Sequence, residues 1–157
     1  MKNKFLKWGL ILSITSLLIG GGIAFYLFNM PHRDVQAASA DFTISASALV
    51  QEYIKDKTGA NEKYLQEEGE SKILLVSGVI TSIDEDLNHQ KVVLLKGADT
   101  KAGVSCTFTS ATNVHAENLE VGDLITIKGV IRSGAGYDED LDLYEDVIME
   151  KCDVVRN

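Results

Sequence analysis

The chain has little of what catalysis or nucleic-acid binding requires. Its 157 residues hold three histidines, two cysteines, one tryptophan and one proline. His32, His89 and His115 are scattered, with neither a His-x-x-Glu-type spacing nor a G-x-S-x-G elbow. Glu117 follows His115 by two positions, which on a helix places them on different faces. Nothing here points to an enzyme, and no cofactor or metal centre is expected. Positive charge is also scarce where a polyanion would need it. Residues 34–157 carry eleven of the 15 Lys and Arg against all 23 Asp and Glu, a formal charge of −12. A domain this acidic meets a long-range penalty on approaching phosphates, and no basic run relieves it.

Charge of either sign is absent from Trp8 to Phe28, a stretch of 21 residues. As a helix rising about 1.5 Å per residue it reaches roughly 30 Å, the thickness of the hydrocarbon layer of a bilayer. A cleaved secretory signal has an apolar region of about 7–15 residues followed closely by small residues. This one is longer and ends in Phe25, Tyr26, Leu27 and Phe28, with the small residues Ala37 to Ala40 far beyond it. An uncleaved anchor is therefore expected, and no cysteine lies near it for lipid attachment. Lys2, Lys4 and Lys7 precede the stretch, which predicts a cytoplasmic basic tail (1–7), a transmembrane helix (8–28) and a domain on the outer side. Trp8 and Tyr26 fit interfacial positions, whereas Gly20 to Gly22 lack the spacing of a helix-dimer motif.

A connector is expected over 29–44, with Pro31 inside it, followed by the domain at 45–157. Ala46, Leu49, Val50, Tyr53 and Ile54 fall on one helical face, so a helix is predicted over about 46–57. Ser45 or Ser47 would cap it and Gly59 stop it. A short turn is expected at Ala60 to Gln66, before the acidic break 67–70. From Lys72 the pattern turns to β. Residues 73–83, 91–96, 104–108, 123–132 and 146–155 are rich in β-branched side chains and separated by Asp, Asn and Gly. Leu74 and Val76 share one parity while Val79 and Ile83 share the other, which places a bulge at Gly78, and Gly129 offers a second. Five strands with a short helical stretch, Asn113 to Leu119, between the third and fourth predict a closed Greek-key barrel behind an α-helix.

Four segments carry a more specific likeness: Val76 to Ile80 in the first strand, Val104-x-Cys106-x-Phe108 in the third, Gly122 to Gly129 in the fourth, and Cys152 in the fifth. With these the chain resembles the bacterial tRNA_anti-like family over roughly 45–155. The resemblance implies a mainly β, five-stranded OB-fold barrel in a small protein often carried behind a signal or anchor, hence on the outer face of the bacterial inner membrane. It says almost nothing about function.

In such a barrel the third and fifth strands are neighbours, so a disulfide between Cys106 and Cys152 is geometrically open, as is the alternative of two buried reduced thiols. The loop between the fourth and fifth strands is one of two that frame an OB binding face. It holds Tyr137, Asp138, Asp140, Asp142, Tyr144 and Asp146, the candidate contact residues for a protein, peptide or cationic ligand. Asp138, Asp140 and Asp142 alternate like the start of a calcium loop, but Leu143 stands where the EF-hand needs glycine and Met149 where it needs its bidentate glutamate. The leading expectation is a non-enzymatic, membrane-tethered binding or adaptor module. Single-stranded nucleic-acid binding is an alternative by fold analogy. A tethered small-ligand or cofactor carrier, by analogy with the anchored OB-fold haem chaperone of cytochrome c maturation, is a more distant one, because no histidine follows the last strand.

Overall fold

The computed structural model describes residues 2–28, 33–66 and 71–155. Pro31 and the acidic break 67–70 lie outside them. The chain divides into two units, 1–33 and 34–157.

In the first unit α1 (Lys2–Phe28) is one 27-residue helix that starts before the expected Trp8. Its described side chains are Trp8, Ser13 and Thr15 to Tyr26, all exposed. Among the described residues no helix is long and apolar enough to cross a membrane.

In the second unit five strands close into a barrel: β2 (Ile73–Glu85), β3 (Lys91–Leu95), β4 (Val104–Phe108), β5 (Leu124–Ser133) and β8 (Val147–Val154). Their order around the barrel is β2-β3-β4-β8-β5, and β5 returns to β2. The β4–β8 pair is parallel and the others are antiparallel. This is the strand order of an OB-fold. Alternation explains why these segments pair: Val93, Leu95, Val104, Cys106 and Phe108 are buried while the residues between them are partly exposed.

The bend of β2 is not at Gly78. Leu74, Val76 and Ile80 keep one parity to the core, Val79 is 40% exposed, and the register shifts between Ile80 and Ser82. The extra residue, Thr81, lets Ile83 return to the core after Ile80. Gly78 serves packing instead: a β-carbon there would stand 3.1 Å from those of Ala46 and Leu95. Gly129 does sit at a register shift, between Lys128 and Val130.

A sixth strand, β1 (Phe42–Ser45), pairs in parallel with Leu74 to Ser77 of β2, on the edge that β3 leaves free. Asp41 locks the junction, since its N–H donates to the Ile73 carbonyl and its carboxylate accepts the Ile73 N–H, both at 2.8 Å. From Asp34 the chain belongs to the barrel unit: Val35 is buried, Asp34 accepts the N–H groups of Gln36 and Ala37, and Lys128 Nζ donates to the carbonyls of Gln36 and Ala38.

α2 (Ala46–Lys55) begins where β1 ends, with Ser45 Oγ accepting from Ala48 N at 3.2 Å. It buries Ala46, Leu49, Val50 and Tyr53. Gly59 does not end it. Asp56 does, by leaving helical dihedrals and capping α3 (Lys57–Tyr64) through Gly59 N at 2.9 Å. The opposite end of the barrel carries α4 (Asn113–Ala116), shorter than the expected helical stretch Asn113 to Leu119. Asn113 ties it to the β2–β3 loop by accepting Lys91 N and donating to the His89 carbonyl.

Candidate binding groove at one end of the barrel

Strands alternate in direction, so the β3–β4 loop and the β5–β8 connection emerge at the same end, the end that α2 covers. The acidic connection is not an open loop there but a hairpin of β6 (Gly136–Asp138) and β7 (Leu143–Glu145), with Tyr137 opposite Tyr144. The two rings lie 4.9 Å apart at 47°, in the range of favourable aromatic pairs. Tyr137 donates its hydroxyl to Asp142, a hydrogen bond that pushes the Tyr137 pKa up. Lys101 Nζ stands 4.9 Å over the Tyr144 ring, within cation–π reach.

All six sequence-predicted contact residues therefore share one hairpin and its exit, yet their carboxylates do not converge. Asp138 accepts the backbone N–H groups of Asp140 and Leu141 at 2.9 and 3.1 Å and shapes the turn. Asp146 accepts Gly103 N at 2.6 Å and binds the hairpin's exit to the β3–β4 loop. Asp142 receives Tyr137. Among the described residues no group of three or more His, Cys, Asp or Glu could hold a metal ion.

Beside the hairpin lies a groove of about 270 Å³. Its walls are Val50, Ile54 and Lys55 of α2, Lys101 and Ala102 of the β3–β4 loop, and Tyr144. Of these only Tyr144 was a sequence candidate. Ile54 carried a signal, as the last position of the predicted apolar face, yet it is 46% exposed because α2 overhangs the barrel there. A second cavity of about 560 Å³ opens at the start of α2, lined by hydroxyls of Ser45, Ser47, Ser77 and Thr81, with Lys96 and Leu124.

The outward rows of β3 and β4 pair Val92 with Thr107 and Leu94 with Ser105, and Ser105 faces Ile148 on β8. They hold aliphatic and hydroxyl side chains and no aromatic ring on which a base could stack. Outside the hairpin the domain's described aromatics are structural. Tyr53, Tyr64 and Phe108 are buried, and Phe42 packs edge-on against Tyr64 at 5.3 Å.

Cys106 and Cys152 are both free and buried. The parity of β8 alone would turn Cys152 toward Glu150, but Lys151 adopts a left-handed φ of 53° and the β4–β8 register shifts between Cys106 and Phe108. That bulge rotates Cys152 into the core, in hydrogen-bonding reach of the Cys106 thiol. Burial, and then that contact, raises the Cys152 pKa well above the usual thiol range, which keeps it protonated and unreactive. His89 pairs with Glu85 and His115 with Asp153, each at 2.6 Å, and neither histidine lines the groove.

The family model for tRNA_anti-like proteins matches residues 1–141. The chain belongs to the tRNA_anti-like family. No curated protein sequence matches it. This tRNA_anti-like protein is similar in structure to a crystal structure of a lipoprotein from Klebsiella pneumoniae subsp. pneumoniae MGH 78578, described as a candidate nucleic acid-binding protein. The TM-score is 0.54 at 21% sequence identity, covering 81% of this chain and 100% of that one. At that identity the likeness is one of fold.

Proposed function

We propose that this tRNA_anti-like protein is a non-enzymatic binding module, tethered by α1 to the outer face of the cytoplasmic membrane, and that its binding surface is the groove between α2, the β3–β4 loop and the β6–β7 hairpin. The observation that carries this reading is the groove itself, a concave, mostly apolar surface on a closed barrel, framed by the loop that OB-folds use for ligands. His89 and His115 stand in ion pairs and Cys106 and Cys152 are buried, which supports a non-catalytic role. Tethering is supported by the sequence alone, through the 21 consecutive uncharged residues from Trp8 to Phe28.

A photo-crosslinker placed at Gln51, on the groove's rim, tests the surface in intact membranes, with Leu87 on the β2–β3 loop as control. Capture at Gln51 that disappears with Ile54→Asp supports the reading. Equal capture at both positions, or none, removes it. Alkaline carbonate extraction tests the tether, which requires the chain to stay in the membrane pellet.

The Klebsiella lipoprotein's description favours a second reading, single-stranded nucleic-acid binding. The −12 formal charge of residues 34–157 and the lack of aromatics on β3 and β4 weigh against it. Salt-dependent retention of labelled single-stranded DNA or RNA would restore it.

A further inference from the structure

The groove carries a charge opposite to that of its surroundings. In an acidic domain, two of its wall residues are lysines. Among the described residues the lysine–carboxylate ion pairs use Lys57, Lys63 and Lys91. Among the described residues Lys55 and Lys101 have no carboxylate partner; the Lys101 ammonium stands over the ring of Tyr144, and the Lys101 carbonyl accepts Lys96 Nζ at 3.0 Å. Both lysines line the groove together with the apolar Ile54 and Ala102, and Asp99 is the one carboxylate of the lining.

We propose that this groove takes the free C-terminus of a partner polypeptide, its carboxylate between Lys55 and Lys101 and its last side chain, an apolar one, against Ile54, Ala102 and Tyr144. The inference rests on the binding-module reading and names the chemistry of its partner. Size supports it: about 270 Å³ falls below the roughly 300 Å³ at which sites for whole small molecules begin, and suits one side chain better than a nucleotide or a lipid. Exposure supports it too. Ile54 is half exposed and Lys55 and Lys101 are exposed, so the occupant stays wet along one side and continues outward, as a chain end does. Capture of a terminal carboxylate by a few donors is a recurring mode of peptide recognition. Ahead of the terminus the partner should be basic, because Asp99 and the exposed Glu139 and Asp140 of the hairpin turn would repel an acidic tail.

The test uses the full chain in nanodiscs and fluorescein-labelled Lys-Gly-Ser-Gly-Lys-Leu, made as free acid and as C-terminal amide, read by anisotropy. The free acid binds about fivefold more tightly than the amide, the worth of two exposed ion pairs. The double variant Lys55→Gln, Lys101→Gln erases that ratio, and Lys55→Arg, Lys101→Arg keeps it. Both positions are exposed, so circular dichroism should show the variants folded; if the glutamine pair does not fold, the acid-to-amide ratio on the wild type decides alone. Equal binding of acid and amide overturns the proposal, as does no saturable binding up to roughly 1 mM. Displacement by N-acetyl-leucine as effective as by the unlabelled peptide overturns it in favour of a small-acid site. Crosslinking at Gln51 that persists when acid and amide bind alike would leave the binding module standing and remove only the C-terminus as its ligand.

Discussion

Gly129 lies against Cys152: a β-carbon on Gly129 would stand 2.9 Å from the Cys152 Sγ and 3.0 Å from the carbonyl oxygen of Glu150. The Glu150 contact is backbone and cannot move aside as a flexible side chain would. Gly129→Ala should therefore destabilise the domain by about 1–3 kcal/mol, the ordinary cost of overpacking. Urea denaturation of the wild type and variant checks this, and an unchanged midpoint would show that β8 yields at its bulge.

The two thiols should be invisible in the native protein. Maleimide added without reductant is expected to leave the folded chain unmodified and to add two groups after unfolding, since both cysteines are buried and Cys152 is kept protonated. Mass spectrometry reads the result. No adducts after unfolding would mean that the pair is joined as a disulfide in its natural compartment.

Glu52 accepts from Lys63 at 2.9 Å and from Tyr64 at 2.7 Å, and these bonds, Lys63 first, hold its carboxyl below the usual range. A carboxylate with a lowered folded-state pKa adds stability above its unfolded pKa of about 4.3, and that stability fades as pH falls through the lower folded value. Glu52→Gln should lower the unfolding midpoint at pH 7 and differ little from wild type near about pH 3. Both groups are about two-fifths exposed, so the effect is small. A variant equally destabilised at both pH values would place the loss in packing instead.

The acidic residues of the β5–β8 connection should separate sharply on mutation. Asp146→Ala removes the 2.6 Å bond to Gly103 N and should cost about 1–3 kcal/mol, because the amide it leaves is partly buried. Asp140→Ala, at an exposed turn position, should fall within about 0.5 kcal/mol of wild type. Thermal melts of the two variants side by side decide the matter, and equal losses would mean that the hairpin acts as one unit.

These contrasts show how far the sequence could be read. The five barrel strands were legible because each alternates over a core whose members sit close in sequence, as in Val104, Cys106 and Phe108. β1 was not, since four residues give too short a pattern and its partner lies about thirty positions away in β2. Cys152 was ambiguous for a different reason: its orientation is set by the left-handed turn at Lys151, an event no side-chain pattern announces. The hairpin residues were found as a group, but whether a carboxylate faces solvent or a backbone N–H depends on turn geometry, so Asp138, Asp140 and Asp146 looked alike. The groove was missed because Lys55 and Lys101 come to line one surface only after folding, and its apolar wall reads as ordinary core until Ile54 proves to overhang.

The fastening of residues 34–45 also has a mechanical meaning. A pull applied at Asp34 would not load the strand ladders of the barrel first. It would load the bonds from Lys128 to the Gln36 and Ala38 carbonyls, then the paired hydrogen bonds of Asp41 with Ile73, and only then the β1–β2 ladder. Tension entering from the N-terminal side would thus be met by a series of sacrificial links that can yield and re-form while the closed barrel and its groove keep their shape.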